Sequence, residues 1–148
     1  LQIQIGETDW KDYRLEFEVK QIEFVKISEM LSVLVRVNGE TYYHFLVYFT
    51  SIPNAPPSIE IGSGYVSFGK RMNTYDYQQL PGGYFERPVE NQWYRIHIEV
   101  DKGEISFYWN DVLVLKYHDQ EYLTAGVIQI FTDDGTCLDN LKATTIND

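Results

Sequence analysis

Residues 31–50 read LSVLVRVNGETYYHFLVYFT. Two apolar runs, Leu31 to Val37 and Thr41 to Thr50, flank Asn38-Gly39, a dipeptide that tolerates positive φ and so closes a tight hairpin. Within each run the side chains alternate between two environments. If Val33, Val35 and Val37 face a core, Leu34 and Arg36 face away from it. If Tyr43, Phe45, Val47 and Phe49 face inward across the hairpin, Tyr42, His44, Leu46 and Tyr48 share the outer face with Arg36. Antiparallel strands with one buried and one solvated face are the building unit of an all-β sandwich.

The same period of two extends in both directions. Tyr13, Leu15, Phe17 and Val19 alternate with Arg14, Glu16, Glu18 and Lys20, a half-buried strand. Trp93 to Val100 turns at Asp101-Lys102-Gly103 into Glu104 to Trp109, which turns at Asn110-Asp111 into Val112 to Tyr117. A third hairpin at Asp133-Asp134-Gly135 is expected to join Gly126–Thr132 to Cys137–Thr145, making the C-terminal half a meander. One short helical turn is allowed within Gln21–Leu34, where Ile22, Val25, Met30 and Val33 have partial helical spacing.

All five prolines, with Gly62, Gly64, Gly69, Gly82 and Gly83, fall between residues 53 and 88, so this stretch is expected to be loops around short strands at Ile59–Ile61 and Tyr65–Phe68. Roughly ten strands with little or no helix predict two antiparallel sheets packed face to face, a single β-sandwich domain spanning residues 1–148.

With 12 Lys and Arg against 22 Asp and Glu, the net charge is −10, a surface that repels phosphate backbones and anionic head groups. No nucleic-acid partner is expected. The 8 Phe, 3 Trp and 12 Tyr exclude a disordered acidic chain. Arg36, His44 and Lys116 interrupt the longest apolar segments, so no membrane insertion is expected either. One cysteine, Cys137, excludes an intrachain disulfide and reads as a small packed hydrophobe. The first residue is Leu1 rather than Met, consistent with a mature product or an excised domain.

Several runs carry a resemblance. Trp10-x-Asp12-Tyr13-x-Leu15-x-Phe17, Val33-Leu34-Val35-Arg36-Val37 and Tyr42-Tyr43-x-Phe45 resemble the opening strands of concanavalin A-like jelly-roll domains. Trp93-Tyr94-Arg95-Ile96-x-Ile98-x-Val100, Ile105-x-Phe107-x-Trp109-Asn110-Asp111, Gly126-Val127-Ile128-x-Ile130 and Leu138-Asp139-Asn140-Leu141-Lys142 resemble the closing strands. Within that superfamily the pattern is most similar to fructan-binding carbohydrate-binding modules and the 3-keto-disaccharide hydrolase-like family. The resemblance implies a two-sheet jelly roll acting outside the cell or at its surface, as a sugar-binding or protein-binding module, and it places Arg36 at the ligand face.

The outer face supplies the candidate ligand residues. Arg36, Tyr42, His44 and Tyr48 share it by alternation, Tyr65 extends it, and Arg71, Tyr75 and Tyr77 lie in what reads as an adjoining loop. Tyr84, after Pro81-Gly82-Gly83, reads with Phe85 as a loop tip that either closes over a ligand or tucks into the interior. Aromatic faces stack on the C–H faces of sugars while charged and amide groups bind hydroxyl pairs, so a glycan ligand is expected. The bland alternative has Arg36 bonded to a loop carboxylate and the tyrosines merely covering a sheet. Trp109 reads as core, Trp93 as strand-start packing and Trp10 as core-rim packing.

No cofactor is required by these residues. A structural Ca²⁺ held by Glu7 and Asp139 is one reading of the acids near the chain ends; in the other, Asp133-Asp134-Gly135 is only a turn and Asp139 bonds backbone amides. His44, His97 and His118 lie on separate elements without zinc-site spacing. The paired acids of a glycosidase strand motif are missing, since Glu16 and Glu18 sit among Arg14 and Lys20 on a solvated face. The leading expectation is therefore a noncatalytic lectin-like module. A protein-interaction or assembly module using the same face is the alternative, and a 3-keto-glycoside-cleaving enzyme ranks last.

Overall fold

The computed structural model describes residues 1–22, 31–49 and 63–147. Eleven strands run β1 (Gln2–Ile5), β2 (Tyr13–Gln21), β3 (Leu31–Asn38), β4 (Thr41–Tyr48), β5 (Gly64–Asn73), β6 (Asp76–Phe85), β7 (Tyr94–Asp101), β8 (Glu104–Trp109), β9 (Val112–His118), β10 (Val127–Thr132) and β11 (Thr136–Thr145). They form a six-stranded sheet in the order β1-β10-β3-β4-β5-β6 and a five-stranded sheet in the order β11-β2-β7-β8-β9. Every pairing is antiparallel. Of the window allowed a helical turn, Gln21 and Leu31–Leu34 are strand and residues 23–30 lie outside the described residues. The strand expected at Ile59–Ile61 also lies outside them.

Alternation produces the core as expected. Tyr13, Leu15, Phe17 and Val19 of β2 are buried against Val33, Phe45 and Val47 of the facing sheet. Trp109 is the largest fully buried side chain; its ring stacks on Phe85 at 4.0 Å and Tyr94 at 4.9 Å, with Phe49 edge-on at 5.9 Å. The turns at the β7–β8 and β8–β9 junctions place Lys102, Asn110 and Asp111 at positive φ, the geometry that tight hairpins need. Trp93 is 40 % exposed with the Lys20 ammonium 4.9 Å from its ring, and Trp10 packs at the core rim.

Three expectations are corrected. The turn at Asp133–Gly135 does not close a hairpin: β10 inserts between β1 and β3, whereas β11 crosses to the other sheet and pairs with β2. Residues 76–85 are not loop but the edge strand β6, which accommodates Pro81 because an edge leaves one row of amides unpaired and a register shift lies between Val66 and Phe68. Lys70, Arg71 and Tyr77 are accordingly strand residues of the β5–β6 hairpin.

The third correction concerns Arg36, which is fully buried rather than on the outer face. The β3–β4 register slips between Val35 and Asn38, and Arg36 itself adopts φ 49°, a bulge that breaks the period of two. Gly126 makes room for it: at φ 155°, any Cβ there would run into the Arg36 carbonyl carbon and the Val37 oxygen. The guanidinium then donates to Lys11 O at 2.9 Å, Lys102 O at 2.5 Å and Asp12 Oδ1 at 3.0 Å, while the Arg36 amide donates to Tyr13 Oη at 2.6 Å. This is the structural alternative raised above, a buried arginine tied to a loop carboxylate.

Candidate functional site

The outward residues of β4, β5 and β6 assemble by register into rungs. Tyr42 lies opposite Arg71, which lies opposite Tyr77; His44 opposite Gly69 and then Gln79; Leu46 opposite Ser67; Tyr48 opposite Tyr65 and then Tyr84. The structure thus brings Tyr42, His44, Tyr48, Tyr65, Arg71, Tyr77 and Tyr84 onto one face. It leaves two out. Arg36 is buried beneath the bulge, and Tyr75, 97 % exposed at the β5–β6 turn, stands off the end of the face.

At one end of the strip, Tyr48 stacks on Tyr65 at 6.1 Å and Tyr65 packs on Tyr84 at 4.8 Å. Tyr84 is therefore part of the sheet surface rather than a loop tip, while Phe85 turns inward onto Trp109. Partial burial, with Tyr84 and Tyr48 nearby, raises the Tyr65 phenol above its usual range, which favours its protonated form.

At the other end, the Tyr77 ring reaches back over Gly69, where a Cβ would collide with the Tyr77 hydroxyl. Only glycine leaves room for the outer end of the ring at this point on the strand. Tyr77 remains 44 % exposed, and burial followed by the proximity of Tyr42 and Tyr48 raises its phenol as well. Arg71 sits over Tyr42 with its guanidinium carbon 5.9 Å from the ring, and it donates to Tyr42 Oη, Asn73 O and Thr74 O at 3.1 to 3.3 Å. Much of its donor capacity is thus used in holding the β5–β6 turn.

Between the two ends the floor is polar. His44 Nε2 lies 2.6 Å from Ser32 Oγ, and its ring meets Tyr42 edge-on at 5.9 Å. Burial pushes the imidazole down to about 4, so His44 is neutral at physiological pH and keeps one ring nitrogen for a further hydrogen bond. Gln79 Nε2 donates to Ser67 Oγ at 2.9 Å and to Phe68 O at 3.1 Å. Ser32 and Gln79 had not been singled out from sequence. Ser32 shares the Leu34 parity of β3 and was readable by counting; Gln79 was hidden because β6 read as loop.

The electrostatic contrast with the opposite surface is sharp. The outer face of the five-stranded sheet carries Arg14, Glu16, Glu18 and Lys20, with an ion pair Arg14–Glu99 at 3.4 Å and His97 Nε2 3.3 Å from the same carboxylate. No Asp or Glu lies among the described outward residues of the rungs. On a protein of net charge −10, that absence sets this strip apart from the charged outer face of the five-stranded sheet.

For metal, Glu7 follows β1 and Asp139 lies on β11 opposite Glu18, where its Oδ1 accepts from the Asn140 amide at 2.8 Å. The Asp133 carbonyl accepts from Thr136 N at 3.1 Å, the turn geometry of the second reading. Among the described residues no three His, Cys, Asp or Glu side chains are grouped to hold a cation. The pair Glu7 and Asp139 does not by itself make a calcium site, which takes six to eight oxygens.

No protein family and no curated protein matches this chain in sequence. In fold it is similar to the carbohydrate-binding module CBM66 from Bacillus subtilis, with a TM-score of 0.62 over 91 % of this chain and 76 % of that one at 13 % identity. The Caenorhabditis elegans galectin LEC-6 gives 0.61 over 97 % and 89 % at 12 % identity, and congerin II liganded with lactose and MES gives 0.69 over 97 % and 100 % at 9 % identity. The two sheets, their strand order and these likenesses together show that the chain has the two-sheet antiparallel jelly-roll fold of these proteins.

Proposed function

We propose that this protein is a noncatalytic, lectin-like carbohydrate-binding module of an extracellular or cell-surface protein, and that its ligand lies on the outer face of β4–β6. The observation that carries the reading is the acid-free aromatic strip itself: tyrosine rings at both ends and neutral hydrogen-bonding groups from His44, Ser67 and Gln79 between them. Such a surface suits sugars, whose C–H faces stack on rings and whose hydroxyls take paired donors and acceptors. Similar folds include a carbohydrate-binding module and a protein solved with lactose, which supports the same reading. The noncatalytic part rests on the strip: glycoside hydrolysis needs two carboxyl groups flanking the bond, and the described rungs supply none.

The test is a glycan array read with and without a chelator, using the native protein and Tyr65→Ala. Retention of at least one glycan, weakened about fivefold or more by Tyr65→Ala at unchanged melting temperature, is the expected result. Silence on every glycan, together with a stable oligomer in light scattering that buries Tyr48 and Tyr65, would replace this reading with the assembly alternative.

A further inference from the structure

The strip has two aromatic platforms rather than one. Tyr77 lies on Gly69, and the Tyr48–Tyr65–Tyr84 cluster is centred on Tyr65, four residues away along β5. At the rise of a β-strand the backbone positions beneath the two, Gly69 and Tyr65, are about 13 Å apart, more than a disaccharide spans, so a ligand lying along β5 over both positions needs on the order of three linked rings. The floor between them is apolar or neutral: Leu46, Ser67 and the Gln79 amide that bonds to it. Gly69 contributes to the same design, because its missing side chain leaves the space that the outer end of the Tyr77 ring occupies.

Charge narrows the ligand further. Arg71, the only cation on the strip among the described residues, already donates to two backbone carbonyls and the Tyr42 hydroxyl, and the molecule as a whole carries −10. A polyanionic glycan would meet long-range repulsion with little local compensation.

We infer, resting on the carbohydrate reading above, that the strip binds a neutral oligosaccharide of at least three rings laid along the strands, with Tyr77 and the Tyr65–Tyr84 pair as separate stacking subsites. One ring or two would engage a single platform. The longer chain engages both, and its affinity grows by linkage of two weak contacts.

Calorimetric titration with ladders of neutral oligosaccharides, two to six rings long, from β-1,4-glucan, β-1,4-mannan, β-1,4-xylan and β-2,6-fructan tests this directly, with a sulfated ladder as the charged control. On the ladder that binds, affinity is expected to rise roughly tenfold or more from two rings to four and then level off. Tyr77→Ala and Tyr84→Ala are each expected to cost about five- to tenfold on the tetramer, while the dimer responds to only one of them. Gly69→Ala, which displaces the Tyr77 ring and leaves its chemistry intact, should remove the length dependence at one end as Tyr77→Ala does. A dimer bound as tightly as the hexamer would overturn the two-platform inference and leave carbohydrate binding standing. Preference for the sulfated ladder would overturn the neutral assignment, and binding to none of the ladders would count against both this inference and the function it rests on.

Discussion

Arg36 donates a hydrogen bond to Asp12 at 3.0 Å from a position with no solvent exposure, while Asp12 also accepts from the Lys102 amide at 2.7 Å. One ion pair therefore ties the β3 bulge, the approach to β2 and the β7–β8 turn. Tyr122 covers the guanidinium from the side, 5.5 Å from ring centroid to Cζ.

Removing the arginine takes the donor from Lys11 O and Lys102 O and leaves the partly buried Asp12 carboxylate without its cation. Arg36→Ala is expected to cost about 3–5 kcal/mol, a fall in melting temperature on the order of 10 °C. Because Arg36 is off the proposed ligand strip, affinity for any glycan the native protein retains, measured well below that melting temperature, should stay within about twofold of native. A large affinity loss with unchanged melting would return Arg36 to the ligand face.

His44 gives the protein a predictable acid response. Its pKa is lowered from 6.5 to about 4 by burial, so between those values the unfolded chain binds the proton that the folded chain refuses. Stability from this group is complete above about pH 6.5 and is lost progressively down to about pH 4, by roughly 2–3 kcal/mol. Urea midpoints measured from pH 7 to pH 4 should fall in native protein, with a visibly shallower fall in His44→Gln.

A second buried network fastens the segment after β9. Tyr43 Oη donates to Asp119 Oδ2 at 2.7 Å and accepts from the Leu123 amide at 3.0 Å, while Lys70 Nζ reaches Asp119 and Glu121 O, both at 2.7 Å. Burial acts to raise the Asp119 carboxyl, but the bonds from Lys70, Tyr43 and the Glu121 amide outweigh it and hold the group below its usual range. Tyr43→Phe should cost about 1–3 kcal/mol and raise amide exchange in residues 119–126 ahead of the rest of the sandwich.

Trp109 separates packing from hydrogen bonding. Its indole nitrogen is buried and finds no acceptor among the described residues, so the residue contributes through its rings. Trp109→Ala should cost about 3–5 kcal/mol by cavity formation, whereas Trp109→Phe, which keeps stacking with Phe85 and Tyr94, should cost well under half of that. Equal losses would mean the indole nitrogen has a partner after all.

Where regular alternation held, the sequence was sufficient: β2, the β3–β4 hairpin and the β7–β9 meander follow from it, as do the outward Tyr42, Tyr48 and Tyr65. The failures have separate causes. A bulge at Arg36 turns that one side chain inward against the alternation of its strand, and its enabling partner Gly126 is remote in sequence. The Asp133–Gly135 turn has the same local chemistry whether its strands pair or part to different sheets. Pro81 and the Gly82-Gly83 pair concealed β6 because edge strands tolerate what central ones do not, and with β6 went Gln79 and the seat of Tyr77.

The crossing of β10 and β11 has a further consequence for how the molecule is made. β1 finds its partner in β10 and β2 finds one of its two in β11, so each sheet is closed by strands synthesised long after those they embrace. A nascent chain that has completed only the first hairpins holds apolar faces and open strand edges with nothing to cover them. Folding of this sandwich thus waits until β10 and β11 have been made, and until then the aromatic strip on β4–β6 rests on a sheet still missing one of its flanks.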